Sequence, residues 1–288
     1  MENTRKPARS VQAAHTAQTV RITQAAQFAH YIGIDYSGKG LPSQRHTAIQ
    51  IFEAGTEGEP VRAQGMSSWS RQGVYRYLSE RLEAQRAGRL GPMIVGMDHG
   101  LSFPLSYFQA DTPVKPRLTS WMDFMAHFHD MWSGAMTGTV ASVRAATLPY
   151  ADPRELRLTE KFTPAAKSVL NLNPTLISVA FSTHAGLPWL YALRSAYPDV
   201  LHVWPYDGLH PAPGMSVIAE AYPSLLYHRY AYPTELTKRD EKDAYAIARW
   251  LQEQDSGGAL RLYMGLPTLN ERQLAEIVPL EGWILGVL

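Results

Sequence analysis

The chain has 288 residues, of which 45% are hydrophobic and 18% charged, with a formal net charge of +1 and no cysteine. This is enough apolar material for one large core, or for a domain that carries an insertion. Without cysteine there is no disulfide framework and no thiolate metal centre, so any metal must be held by oxygen or imidazole. The near-neutral charge announces no nucleic-acid binder. No apolar run nears the roughly 18 residues of a membrane helix, and the expectation is a cytoplasmic protein that does not engage a membrane.

Residues 1–30 are rich in Ala, Gln and Thr and carry Arg5, Lys6, Arg9 and Arg21. With no apolar h-region they read as a tail ahead of a domain over 31–288, not as a secretory signal. Tyr31–Tyr36 (YIGIDY) is a compact strand pattern that stops at the turn signal Ser37-Gly38-Lys39-Gly40. Thr47–Phe52 alternates as a second strand, and Arg62–Ser67 is a weaker third. Ser70–Gln85 predicts an amphipathic helix, with Val74, Tyr77, Leu78 and Leu82 at helical spacing. Gly91–Asp98 is a nearly continuous apolar run, the pattern of a strand buried on both faces.

From 101 to 183, seven prolines between Pro104 and Pro174 punctuate helical pieces such as Trp121–Trp132. This stretch reads as a helical insertion. Ala185–Tyr197 predicts a helix, Leu201–Tyr206 and Ser216–Tyr222 predict strands, and Asp240–Gln254 predicts a helix with Ala244, Ile247, Ala248 and Leu251 on one face. The order implies an α/β fold with a mixed five-stranded sheet. An antiparallel meander of the early strands is joined in parallel by later ones, with helices on both faces.

Four groups of acids stand at telling positions. Asp35 ends the first strand, Asp98 ends the buried strand, Glu220 sits late in the last strand, and Asp240 and Asp243 open the final helix. In open α/β sheets, sites lie outside the carboxyl ends of the strands. Close carboxylates repel one another unless a cation neutralises them, and Mg²⁺ or Mn²⁺ takes oxygen ligands of this kind. Each acid also has a structural reading. Asp240 is a candidate N-cap, Asp98 a candidate Asx turn before Gly100, and Glu220 a candidate core acid paired to an arginine. Asp35 is harder to place that way, because burying a strand-end acid without a partner is costly.

The segments YIGIDYSGKG, MIVGMDHGLSFP, STHAGLPWL, VWPYDG, SVIAEAYPSLLY, RDEKDAYAIARWL and EGWIL together resemble an uncharacterised bacterial family, domain of unknown function 429, described as predicted nucleases of RNase H-like fold. The likeness spans Tyr31 to Leu285. Asp240 to Ala248 is also similar to the last helix of Holliday-junction resolvases, which carries two metal-binding acids. The resemblance implies Asp35, Asp98, Asp240 and Asp243 as ligands of Mg²⁺ or Mn²⁺, with Asp35, Asp98 and Asp243 catalytic in phosphodiester hydrolysis of DNA or RNA. It leaves the role of Glu220, counted among the candidate ligands, unassigned. The resolvases have Glu where this chain has Asp98. An RNase H-fold binding or scaffold protein that cleaves nothing is the alternative.

Three further residues are candidates for substrate contact. Lys39 sits in the turn beside Asp35, His99 follows Asp98, and His184 lies in the THAG segment. For His99 a strand-end hydrogen bond is the competing reading, and for His184 a helix cap. Gly33 to Lys39 nearly writes a P-loop, but Gly40 stands where Ser or Thr is needed. His127 and His129, two apart on a helix, point to different faces.

Overall fold

The computed structural model describes residues 27–112, 115–144, 152–173 and 179–288, so the expected tail as far as Ala26 lies outside it. Six strands form one sheet: β1 His30–Asp35, β2 Gln50–Ala54, β3 Val61–Arg62, β4 Met93–Asp98, β5 Leu201–Val203 and β6 Ser216–Glu220. Their order is β3-β2-β1-β4-β6-β5. The first three pair antiparallel, whereas β4 runs parallel to β1, β6 to β4 and β5 to β6. The fold is therefore α/β with a mixed sheet. The strand count is six instead of the expected five, because the two- and three-residue segments β3 and β5 both pair as edges. The fold also starts before Tyr31: Phe28 is buried, and the N–H groups of Gln27 and Phe28 donate to Asp255 at 2.8 and 3.0 Å.

Helix α1 (Arg71–Arg86) starts where the Ser70 hydroxyl accepts from the Gly73 N–H at 3.0 Å, satisfying one of the orphan donors of its first turn. The region between the sheet segments holds α2 (Leu105–Gln109), α3 (Trp121–Trp132), α4 (Val140–Arg144) and α5 (Leu158–Lys161). It runs into α6 (Val179–Ala196), which begins ahead of the expected Ala185. Beyond the sheet follow α7 (Arg239–Ser256), α8 (Leu260–Gly265) and α9 (Val278–Glu281).

Alternation along the strands sorts the two faces. Ile32, Ile34, Val95, Met97 and Ile218 join one core with Val74 and Leu78 of α1 and Leu190 of α6. Ile94 and Val217 pack on the other side with Ile247 and Leu251 of α7. Two glycines let α7 lie directly on that second face. Gly33 and Gly96 are register partners on β1 and β4. A Cβ on Gly33 would stand 2.0 Å from the Ala244 carbonyl oxygen, and one on Gly96 would stand 2.4 Å from Cγ2 of Ile247. Only residues without side chains allow a helix backbone this close to a strand.

Candidate functional site

The register of β1 and β4 pairs Asp35 with Asp98, so both carboxyl groups stand at the same end and on the α7 face of the sheet. Since Gly33 meets Ala244 and Ala248, the first turn of α7, which carries Asp240 and Asp243, lies over the strand ends two residues on. Asp35 is 8% exposed. Burial, then the charges of Asp98, Asp240 and Asp243, raise its carboxyl well above the usual carboxylate range. Asp98 is also raised, by burial first and then by Asp243; its hydrogen bond with Asp35 and the charge of Arg239 work against the rise. Like charges at close range do not both ionise readily, so the pair's second deprotonation is disfavoured.

Both helix acids are raised in turn by burial. The charge of Lys39 opposes the shift at Asp240, and a hydrogen bond from Arg239 opposes it at Asp243. The capping reading of Asp240 fails. The helix begins at Arg239, and Glu241 accepts from the Lys238 N–H at 3.2 Å while pairing with Arg62 at 3.1 Å. The Asx reading of Asp98 fails too, because the Gly100 N–H donates to the Thr183 hydroxyl at 2.9 Å.

Glu220 is the correction among the expected ligands. It registers with Met97, one position short of Asp98, so its side chain points to the opposite face of the sheet. There Arg157, itself buried, donates to both of its oxygens at 2.6 and 2.8 Å, and the Leu101 N–H adds a third contact at 3.1 Å. A carboxylate so engaged is not free to hold a cation. The EGWIL ending closes the same corner: Glu220 bridges in parallel to Ile284, and the Leu285 N–H donates to the Glu220 carbonyl.

Two of the three substrate candidates also fall away. His99 is 1% exposed. Its Nδ1 bonds the Gly100 carbonyl at 2.9 Å, and its ring lies against Gly186 of α6, where a Cβ would stand 2.5 Å from Nε2. It lies just past the end of β4, packed against α6 on the side of the sheet away from α7. His184 is fully buried, its Nδ1–H donates to the Ala180 carbonyl at 2.7 Å, and its ring sits among Phe103, Phe128 and Trp132. Lys39 remains: it is exposed and its charge reaches Asp240. Its loop is held by buried Arg71, which donates to the carbonyls of Ser37, Lys39 and Gly40 at 3.3, 2.7 and 2.9 Å.

Three arginines matter here that the sequence reading passed over. Arg239 sits four residues before Asp243, a spacing at which a helical ion pair is readable. Arg157 pairs locally with Glu160 three residues on, but its bond to Glu220 and those of Arg71 to the Ser37–Gly40 loop span distant parts of the chain and carried no signal. Trp204 and Trp283 are buried, at 0 and 1% exposure, and offer no ring face to a nucleic-acid base.

The donor set is hard carboxylate oxygen throughout, the type that suits Mg²⁺ or Mn²⁺. As the side chains stand, no group of three or more His, Asp or Glu among the described residues is arranged around one point, and Asp243 is engaged by Arg239. Among the described residues no helix is long and apolar enough to cross a membrane. No protein-family model, curated protein or solved structure matches this chain.

Proposed function

We propose that the chain is a cytoplasmic, divalent-metal-dependent nuclease of RNase H-like fold that hydrolyses phosphodiesters of DNA or RNA. The observation that carries the reading is the side-by-side placement of Asp35 and Asp98 at the ends of parallel central strands, with Asp240 and Asp243 brought over them by α7. The antiparallel meander joined through β1 to parallel strands supports the RNase H-like part.

Asp35, Asp98 and Asp243 would hold Mg²⁺ or Mn²⁺, with Asp240 assisting. When bound, such ions lower the pKa of a coordinated water and neutralise charge on the attacked and leaving oxygens. Deprotonation of the Asp35–Asp98 pair creates the anionic ligands. Lys39, exposed and within electrostatic reach of Asp240, would bind a backbone phosphate.

One observation favours the scaffold alternative: Asp243 is already paired with Arg239. Incubation of single-stranded DNA, duplex DNA and RNA with the protein in Mn²⁺ or in chelator separates the two readings. Cleavage in Mn²⁺ that is lost with Asp98→Asn is the expected result. No cleavage of any of the three substrates, or equal cleavage by the variant, sinks the nuclease reading.

A further inference from the structure

Arg239 carries the next step, which rests on the metal-site reading above. Its Nε donates to both oxygens of Asp243, at 3.0 and 2.8 Å, across one turn at the start of α7. The carboxylate side chain is 10% exposed and the arginine 51%, so the guanidinium covers the acid from the solvent side. It is steadied there by the Tyr227 ring, whose centroid lies 3.8 Å from the guanidinium carbon. Its charge is also felt at Asp98. One monovalent side chain thus serves two acids of the cluster from the direction in which an ion in water must approach.

We propose that Arg239 is a built-in counter-ion that competes with divalent cation for Asp243 and so sets the metal concentration at which the site fills. A cation that ligates Asp243 must take lone pairs now committed to Nε. The guanidinium then turns away from Asp243 towards solvent, a displacement that its half-exposed position permits. Arginine suits such a role because it stays charged at every physiological pH, so the competition does not fade as the acids titrate.

The test is Mn²⁺ binding by calorimetry on the full chain, without nucleic acid, for wild type, Arg239→Gln, Arg239→Lys and Asp243→Asn, each checked for native circular dichroism. Arg239→Gln is expected to bind Mn²⁺ roughly threefold to tenfold more tightly than wild type, the range into which a half-exposed ion pair converts. Arg239→Lys, still charged but without the Nε contact, falls between the two, and Asp243→Asn binds more weakly than any. Equal or weaker binding by Arg239→Gln, with Asp243→Asn still weakened, overturns the competition and leaves the metal site standing. Wild-type affinity in Asp243→Asn also overturns it, since the acid would then be no ligand. Absence of Mn²⁺ binding in both wild type and Arg239→Gln removes the metal reading itself. Binding in Arg239→Gln alone is the strongest support for the competition.

Discussion

Replacing Asp98 by Asn tests the protonation of the Asp35–Asp98 pair directly. Burial and the neighbouring acids raise both carboxyls of the pair, Asp98 to about 8, so the expected outcome is that the metal-free protein keeps a proton there that the unfolded chain, with Asp near 3.9, has released. A raised carboxyl pKa gives the folded state its advantage below the unfolded pKa, and that advantage is lost as pH rises towards the folded value. Each pH unit over which the folded state binds one extra proton lowers the unfolding free energy by about 1.4 kcal/mol. From pH 4 to 7 the ceiling is therefore about 4 kcal/mol, and relaxation around Arg239 and water entry bring the expected loss to about 2 kcal/mol. An Asn amide donates to Asp35 without needing a proton from solvent. In chelator, Asp98→Asn should thus be more stable than wild type at pH 7.5 by about 1–3 kcal/mol, and the gain should vanish near pH 4.5. Urea unfolding across this pH range, followed by circular dichroism, measures both slopes. Parallel profiles for wild type and variant would falsify the retained proton. In Mn²⁺ the order reverses under the proposed function, because the variant forfeits a ligand and with it the stabilisation that metal binding adds.

Gly33→Ala should cost about 3 kcal/mol or more, because its Cβ meets α7 backbone, whereas Gly96→Ala, which meets a movable Ile247 methyl, should cost about 1–3 kcal/mol. Thermal melts of both check the order. Arg157→Met leaves Glu220 and Glu160 buried without their cation and should lose about 3–5 kcal/mol in urea unfolding, with Glu220→Gln milder. His184 is pushed down to about 4 by burial, so the unfolded chain takes up its proton first, and stability falls as pH drops from 6.5 towards 4. His184→Leu should remove about 2 kcal/mol of that acid sensitivity at pH 5, read as a smaller drop in melting temperature between pH 7 and pH 5.

How far the fold could be read in the residues depended on burial symmetry. Gly91–Asp98 announced a central strand because helices cover both of its faces, and α1 and α7 announced themselves by apolar spacing. The patterns at Arg62–Ser67 and Leu201–Tyr206 mark both edge strands but overstate their length, since only Val61–Arg62 and Leu201–Val203 pair. Asp35 and Asp98 could be placed together once their strands were recognised as parallel neighbours. Glu220 could not, because its face depends on a one-residue register against β4 that no local pattern encodes. His99 differs. Its adjacency to Asp98 suggested partnership, yet it stands past the strand end, where its bond to the Gly100 carbonyl and its packing on Gly186 turn it into the α6 side.

Strand alternation explains how one corner of the sheet carries two acid groups with opposite fates. On the α7 face, Asp35 and Asp98 have each other, Asp240 has distant Lys39, and Asp243 has a half-exposed arginine on a flexible stem. On the other face, Glu220, Glu160 and Glu281 are fixed by buried Arg157 and by the N–H groups of Leu105 and Leu158. A buried guanidinium that satisfies two carboxylates locks a corner in place, since removing either partner strands the other. Acids held only by one another and by a movable cation stay electrostatically hungry, and their free energy drops when a divalent ion arrives. The formal net charge of +1 averages over both arrangements and conceals the difference. What separates a structural acid cluster from a metal-ready one here is the rigidity of the counter-charge, and that rigidity is set by which face of the sheet each acid occupies.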